Sequence, residues 1–520
     1  MSGIGVTLKE DSIAYILSEQ VDLVTLLSGL PASYSVQEGG VVVDTLCYLD
    51  TFDWRLYEKG LICLRQGNGG HVLTDFSGGN RIQDDCPVHK NLLPPDCGGG
   101  VLGEKLRLGA GIRALLPLVE ITRQSQSFQI INRDQKTVLS GLLELNQLLI
   151  ADDQPITLCG SLRIHGLRGY GKILVRVTDL LQSRGLEPGC PEEINLRFAL
   201  AAMGRKPLDY SPQFSITLDP EETVVQAAQK IFFRLLEGME RNIPGIIEDI
   251  DTEFLHDFRV ALRRTRSLLG SMKKRVPPAD VDHFQQGFKK IGIATGPVRD
   301  LDVYLLEKNG YQTMLPEGLQ EGLAVFFKEL GRQRVQELRR MKKALHSRNC
   351  KKLLMGWRRY LEDSLLSSAL AAGHEPCKEV AVKAIRKRLQ RILKDGAAIG
   401  SQSPDGTLHR LRIQAKKLRY LLEFYFSLFP ESKINPLLKS LKRLQDNLGS
   451  FNDLSVQQLM LGRYENGLVG GEQKQAIKVA AALGGLITHL HEEQKSVRQE
   501  FELRFEQFTH AENRKLFEVF

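Results

Sequence analysis

Two stretches of this chain carry the same pattern of basic side chains. HDFRVALRRTRSLL, residues 256–269, and HRLRIQAKKLRYLL, residues 409–422, place His, Arg, a basic residue and Arg at offsets of zero, three, seven and ten. These are His256, Arg259, Arg263 and Arg266, then His409, Arg412, Lys416 and Arg419, with Arg264 and Lys417 beside them. On an α-helix those offsets fall within an arc of roughly 80°, so each segment displays a narrow cationic stripe. Guanidinium groups hold phosphate oxygens through paired charge-assisted hydrogen bonds, and a histidine protonated near neutral pH adds a further donor. Like charges one turn apart repel by about 0.2–0.5 kcal/mol per pair, and no acid stands at the intermediate turns to relieve them. A polyanion would. One such helix alone is most simply a solvated basic face; its repetition argues for a site. An imidazole packed against Asp300 or Asp453 is the structural alternative for each histidine, and those two acids suit a helix cap or a partner for a stripe arginine.

The stripes need helices to position them, and Leu255, Leu262 and Leu269 supply an apolar seam every seven residues. From Thr217 onward, apolar periodicity predicts helices near 223–240, 252–274, 282–306, 318–346, 351–371, 376–395, 406–428, 434–462 and 472–509. Asp219-Pro220-Glu221-Glu222 reads as a helix start. The repeat extends beyond the stripes at a constant offset. Lys289 and Lys290 pair with Lys442 and Arg443, Gly296 with Gly449 and Asp300 with Asp453. Lys230, Arg234 and Arg241 pair with Lys383, Lys387 and Lys394 on another helical face. Two helical bundles of one plan are expected, about 220–370 and 373–515, with their basic faces turned to a shared groove by an approximate two-fold.

Charge divides along the same line. Residues 1–200 hold 18 Lys+Arg against 23 Asp+Glu, and the remainder holds 52 against 39. The basic character therefore belongs to the C-terminal part. No apolar run reaches the length needed to span a bilayer, the N-terminus lacks a basic region followed by an apolar core, and the eight cysteines have no regular spacing. A cytoplasmic protein with reduced thiols and no membrane association is expected. Cys86, His89 and Cys97 lack a fourth zinc ligand at a recognisable spacing, so no metal or cofactor is expected.

Residues 1–205 alternate short β-like runs with glycine-rich turns, the pattern of an antiparallel sheet or closed barrel. Helical patterns interrupt it near 18–29 and 171–184, and GRKPLDYSP, residues 204–212, reads as a linker. YLDTFDWRLYEKGLICLR, residues 48–65, resembles the corresponding block of CYTH domains, the triphosphate tunnel metalloenzymes. That resemblance implies an α+β, barrel-like domain whose first strand carries E-x-E-x-K. Here the register Gly5-Val-Thr7-Leu-Lys9 keeps the lysine and replaces both acids, and no glutamate lies between Gln154 and Gly185. Metals held beside a triphosphate need such oxygen ligands, so a degenerate tunnel is expected. Arg65, Arg123, Arg163, Arg168 and Lys172 sit on or beside candidate strands, where a degenerate tunnel could still use them to bind an anion; they are expected rather to face water on the sheet's outer side.

LHDFRVALRRTRSLL, GPVRDLDVYL, LHRLRIQAKKLRYLLEF and LKRLQDNLGSFNDLSV together resemble the CHAD domain, the conserved-histidine α-helical domain, over residues 214–515. The resemblance implies an all-α domain of two repeated bundles that binds inorganic polyphosphate, and its pairing with a CYTH-like domain recurs in bacteria. It makes the stripe residues named above ligands. Lys289, Lys290, Lys383, Lys387, Lys442 and Arg443 extend the same basic surface. No nucleophile or metal cluster repeats beside the stripes, so no catalytic residue is assigned. Inorganic polyphosphate, free or in granules, is the expected partner. Two alternatives remain: a metal-dependent triphosphatase or polyphosphatase in the CYTH-like domain, and nucleic-acid binding on the same surface. The second is disfavoured because the basic arcs carry no aromatic side chain for base stacking.

Overall fold

The computed structural model describes residues 7–8, 12–18, 22–77, 81–85, 92–97, 100–149, 154–466, 473–518 and 520. Gly5, Lys9, Cys86 and His89 lie outside them. The chain forms two compact units, Met1–Pro212 and Gln213–Phe520.

The first unit is built on antiparallel strands β1 (Thr7–Leu8), β2 (Ser12–Leu17), β3 (Tyr34–Thr51), β4 (Leu61–Gln66), β5 (Gly70–Asp75), β6 (Arg81–Asp85), β7 (Leu115–Asn132), β8 (Thr137–Leu148), β9 (Ile156–Thr157) and β10 (Gly160–Gly166). They pair in the order β1-β6-β5-β4-β3-β7-β8-β10-β2, with β9 on β8. β1 ends at Leu8 on one edge and β2 begins at Ser12 on the other, a span of at most about 15 Å. The sheet therefore curls until its edges approach. This half-barrel is consistent with the CYTH-like fold.

Four helices clothe the sheet: α1 (Leu23–Leu27), α2 (Val101–Ala110), α3 (Gly171–Ser183) and α4 (Pro191–Ala202). Strand alternation sends neighbouring residues to opposite faces. Cys47, Leu49, Cys63 and Leu73 meet α2, and Phe128, Ile130, Leu139 and Leu162 meet α1 and α3. The other face sends Leu46, Tyr48, Leu64, Val72 and Ile121 against Leu196, Ala199 and Leu200 of α4. The pattern near 18–29 shrinks to the five-residue α1, capped by Asp22.

The second unit is helical. It comprises α5 (Val224–Glu248), α6 (Thr252–Ser271), α7 (Pro278–Leu306), α8 (Lys308–Thr313), α9 (Glu317–His346), α10 (Arg348–Arg359), α11 (Cys377–Ala397), α12 (Asp405–Phe424), α13 (Glu431–Asn466), α14 (Gln473–Thr509) and α15 (Ala511–Phe517). The start signal at Asp219 makes a turn, and α5 begins five residues later, at Val224, behind a capping box between Thr223 and Gln226. The single helix expected over 351–371 ends in a π turn at Tyr360–Ser364. Tyr360 there stacks on Trp357, whose ring also meets Phe232, Phe284 and Phe288.

The repeat is visible in the elements. α11, α12 and α13 start at Cys377, Asp405 and Glu431, each 153 residues after the starts of α5, α6 and α7. The Val224 N–H donates to the Glu375 carbonyl at 2.9 Å, and the Cys377 N–H donates to the Glu222 carbonyl at 2.8 Å. Under the repeat these two bonds exchange, which is the mark of a local two-fold. The fourth helices, α9 and α14, pack so closely that a Cβ on Gly322 would stand 2.1 Å from the Lys478 carbonyl oxygen.

Candidate functional site

Each stripe is presented by a helix whose opposite face is locked in the core. On α6, Leu255, Leu262 and Leu269 are buried, and Asp251 caps the first turn by accepting from the Glu253 and Phe254 N–H groups. On α12, Leu408, Leu411, Leu418 and Leu422 are buried. The seam was legible; how far each basic side chain stays available was not.

Arg259 turns toward α7, donating to the Gly292 carbonyl at 2.9 Å and to the Thr295 hydroxyl at 2.8 Å. Burial, then Arg263, pull its pKa down. Arg264 pairs with Glu423 of α12 at 2.5 Å, beneath the rings of Phe214 and Tyr420. Tyr420 adjoins the second stripe, so this aromatic is taken up by an arginine. Arg263 is exposed, while His256 and Arg266 are half-buried.

On α12, His409 is exposed, and its Nδ1 lies 2.6 Å from the Asn452 side-chain oxygen. Asn452 in turn donates to Asp453 at 3.1 Å, so the histidine reaches the acid through an amide. Asp453 also pairs with Arg412 at 3.2 Å. Asp300 and Asp453 lie well inside α7 and α13, so neither caps a helix start. Arg419 reaches Glu423 at 2.7 Å. Lys416, half-buried, is lowered to about 8 by burial and then by Arg412 and Arg263. Arg263 belongs to the first repeat, so the fields of the two stripes overlap at Lys416. Lys289, Lys290, Lys442 and Arg443 are exposed on α7 and α13.

A cavity of about 650 Å³ draws on both repeats. Arg266 and Arg275 enter it from the first, and Lys383, Lys387, Arg388, Arg391 and Lys417 from the second. Among the described residues lining it there is no carboxylate. Lys383 and Arg391 make i,i+4 pairs with Glu379 and Asp395 at 3.4 and 3.8 Å, in water. Arg388 donates to the Gln414 side chain. Burial and then Arg388 and Arg391 lower the Lys417 pKa. The Nε atoms of Arg266 and Arg275 are out of solvent and meet no acceptor among the described residues. Arg388 and Arg391 belong to the basic stretch VKAIRKRLQRILK, residues 382–394, expected from the sequence to extend this surface; Arg275 was not expected there, because the repeat gives it the apolar counterpart Leu428.

The first unit corrects one expectation. Arg123 and Arg163 are buried on the sheet face that α4 covers, not turned to water. Arg123 pairs with Asp44 at 2.7 Å and Glu144 at 2.9 Å, and Arg163 pairs with Glu192 of α4 at 2.7 Å. Arg81 joins Glu192 at 3.3 Å. Carboxylates thus do reach this face, from β3, β8 and α4, and they are engaged by arginines. Glu144 keeps a lowered pKa because Arg123, Arg163 and Arg81 outweigh its burial. Arg65 is half-buried, while Arg168 and Lys172 are exposed. No group of three or more His, Cys, Asp and Glu is gathered to hold a metal among the described residues, and none of their helices is long and apolar enough to cross a membrane.

Comparison with known proteins places a family on the helical unit. The CHAD domain matches residues 230–462. Among solved structures, the CHAD domain from the plant Ricinus communis is 24% identical with a TM-score of 0.49, covering 57% of this chain and 96% of its own. PptA from Streptomyces chartreusis is 14% identical with a TM-score of 0.43, covering 56% of this chain and 100% of its own. No curated protein matches the chain.

Proposed function

We propose, from the premise that residues 230–462 of this chain are a CHAD domain, that the helical unit binds inorganic polyphosphate, free or in granules, and does so without catalysing its breakdown. The observation that carries this is the cavity that collects seven cationic side chains from both repeats and no lining carboxylate. Such a cluster resists its own assembly: the Lys417 pKa is lowered by burial and then by its cavity neighbours Arg388 and Arg391. A flexible chain with about one negative charge per phosphate unit relieves it at every contact. Arg266 and Arg275 offer guanidinium donors, which take phosphate oxygens in pairs. Arg263 and Lys416 continue the positive field along α6 and α12, so a long chain gains a second contact at high effective concentration.

The test is a titration of long-chain polyphosphate against wild type, the Arg263→Ala/Arg266→Ala variant and the Lys416→Ala/Lys417→Ala variant, with single-stranded RNA of matched charge as competitor. Each pair should weaken polyphosphate at least tenfold while circular dichroism keeps its helical signal. A folded variant that binds like wild type, or RNA that outcompetes polyphosphate, would sink the proposal.

A further inference from the structure

The local two-fold relates every residue of the cavity to a counterpart in the other repeat, and the two positions differ in charge. Gly270, which lines the cavity, corresponds to Glu423; Gln390 corresponds to Glu237; Arg388 and Arg391 correspond to Leu235 and Gly238. At the counterpart position carboxylates stand among the cations themselves, whereas Glu379 and Asp395, which pair with Lys383 and Arg391, lie outside the cavity lining. Arg264 and Arg419 share Glu423 at 2.5 and 2.7 Å. Arg234 and Arg241 share Glu237 at 3.4 and 3.5 Å, and Lys230 meets Glu222 at 2.5 Å. The rings of Phe214 and Tyr420 lie 5.6 and 5.9 Å from the Arg264 guanidinium.

From this asymmetry we infer that the domain has one phosphate pocket, not two: the cavity between α6, α11 and α12 takes a compact oligophosphate of a few units, free or as the end of a longer chain, and Glu423 closes its counterpart. The inference rests on the polyphosphate reading and adds to it a size class, a stoichiometry and a residue that sets both. A carboxylate held between two half-buried guanidinium groups occupies the donors a phosphate would use, and a second anion there meets its charge at short range. Glycine at the corresponding place in the cavity leaves Arg266 and Lys417 without that competitor. A volume of about 650 Å³ lies in the usual range of small-ligand pockets and suits a few phosphate units. With no aromatic side chain in the lining, a nucleoside base finds nothing to stack on.

The experiment is calorimetric titration of the full-length protein with tripolyphosphate in metal-free buffer, with long-chain polyphosphate in parallel. Wild type should bind one tripolyphosphate per chain. Lys387→Glu with Arg391→Glu should weaken it at least tenfold, while Lys230→Glu with Arg234→Glu should change it less than twofold. Glu423→Gln frees Arg264 and Arg419 and should raise the stoichiometry toward two. Equal losses in the two double variants, or a loss confined to the Lys230 variant, overturn the one-sided pocket. A stoichiometry fixed at one in a folded Glu423→Gln protein overturns the part given to Glu423. Long-chain binding without tripolyphosphate uptake overturns the pocket alone; failure of both ligands overturns the polyphosphate reading itself.

Discussion

At Lys416 both repeats act on one titratable group. Its ammonium falls from the ordinary 10.5 to about 8 because burial, Arg412 and Arg263 all oppose its charge. The sign follows: between about pH 8 and 10.5 the unfolded chain holds this proton and the folded one does not, so the group's contribution to stability rises with pH across that window and is flat below it. An anion bound beside Lys416 reverses the field and restores the proton. Polyphosphate binding near pH 8 should therefore take up part of a proton, and its affinity should fall as pH rises above 8. Titrations in two buffers of different ionisation enthalpy measure that uptake, and a Lys416→Arg protein should lose it while still binding. Uptake unchanged in that variant would place the titrating group elsewhere. Spacing in the sequence put Lys416 on the stripe, because helical periodicity depends only on neighbours along the chain. Arg259 and Arg264 look the same by spacing, yet one is held by α7 and the other by Glu423, partners that only tertiary packing supplies.

Among the elements, those with long apolar periods were readable. α6 and α12 were legible to within a few residues because seam and stripe alternate over five turns. α4 was not, although Cys190 is followed by Pro191, Glu192 and Glu193, a helix start with proline first and acids at the positive end of the dipole. Its role was hidden for another reason: Glu192 finds Arg163 and Arg81 across the sheet, and nothing near it in sequence announces that pairing. Removing one partner of a buried ion pair costs about 3–5 kcal/mol, far more than an exposed pair is worth. Glu192→Gln keeps the shape and deletes the charge, so the first unit should lose about 3 kcal/mol or more. Trp54 lies in the first unit and Trp357 in the second, and the chain has no other tryptophan. In a Trp357→Phe background, urea unfolding followed by Trp54 fluorescence isolates the effect. Coincident transitions with and without Glu192 would show that Glu144 alone suffices for Arg163.

Across the whole molecule, charge is partitioned rather than spread. The first 200 residues have more acids than bases, and their buried arginines Arg113, Arg123 and Arg163 all pair with carboxylates of the same unit. The excess of bases lies in the helical unit, and its cavity gathers seven that no lining carboxylate neutralises. Self-repulsion at such a site is stored in the fold and released by a polyanion together with the polyanion's own counterions, so binding should weaken steeply with salt. For nucleic acids each neutralised phosphate contributes about 0.7–0.9 to the slope of log affinity against log salt. If roughly five phosphate contacts form on that scale, raising salt from about 50 to about 200 mM should weaken long-chain polyphosphate by two orders of magnitude or more. Reversing Lys387 and Arg391 to glutamate should flatten the slope as well as lower the affinity, since it removes contacts. A wild-type slope below about one would mean that only one or two side chains reach the ligand, and the clustering of seven would then have to be explained by something other than a polyanion.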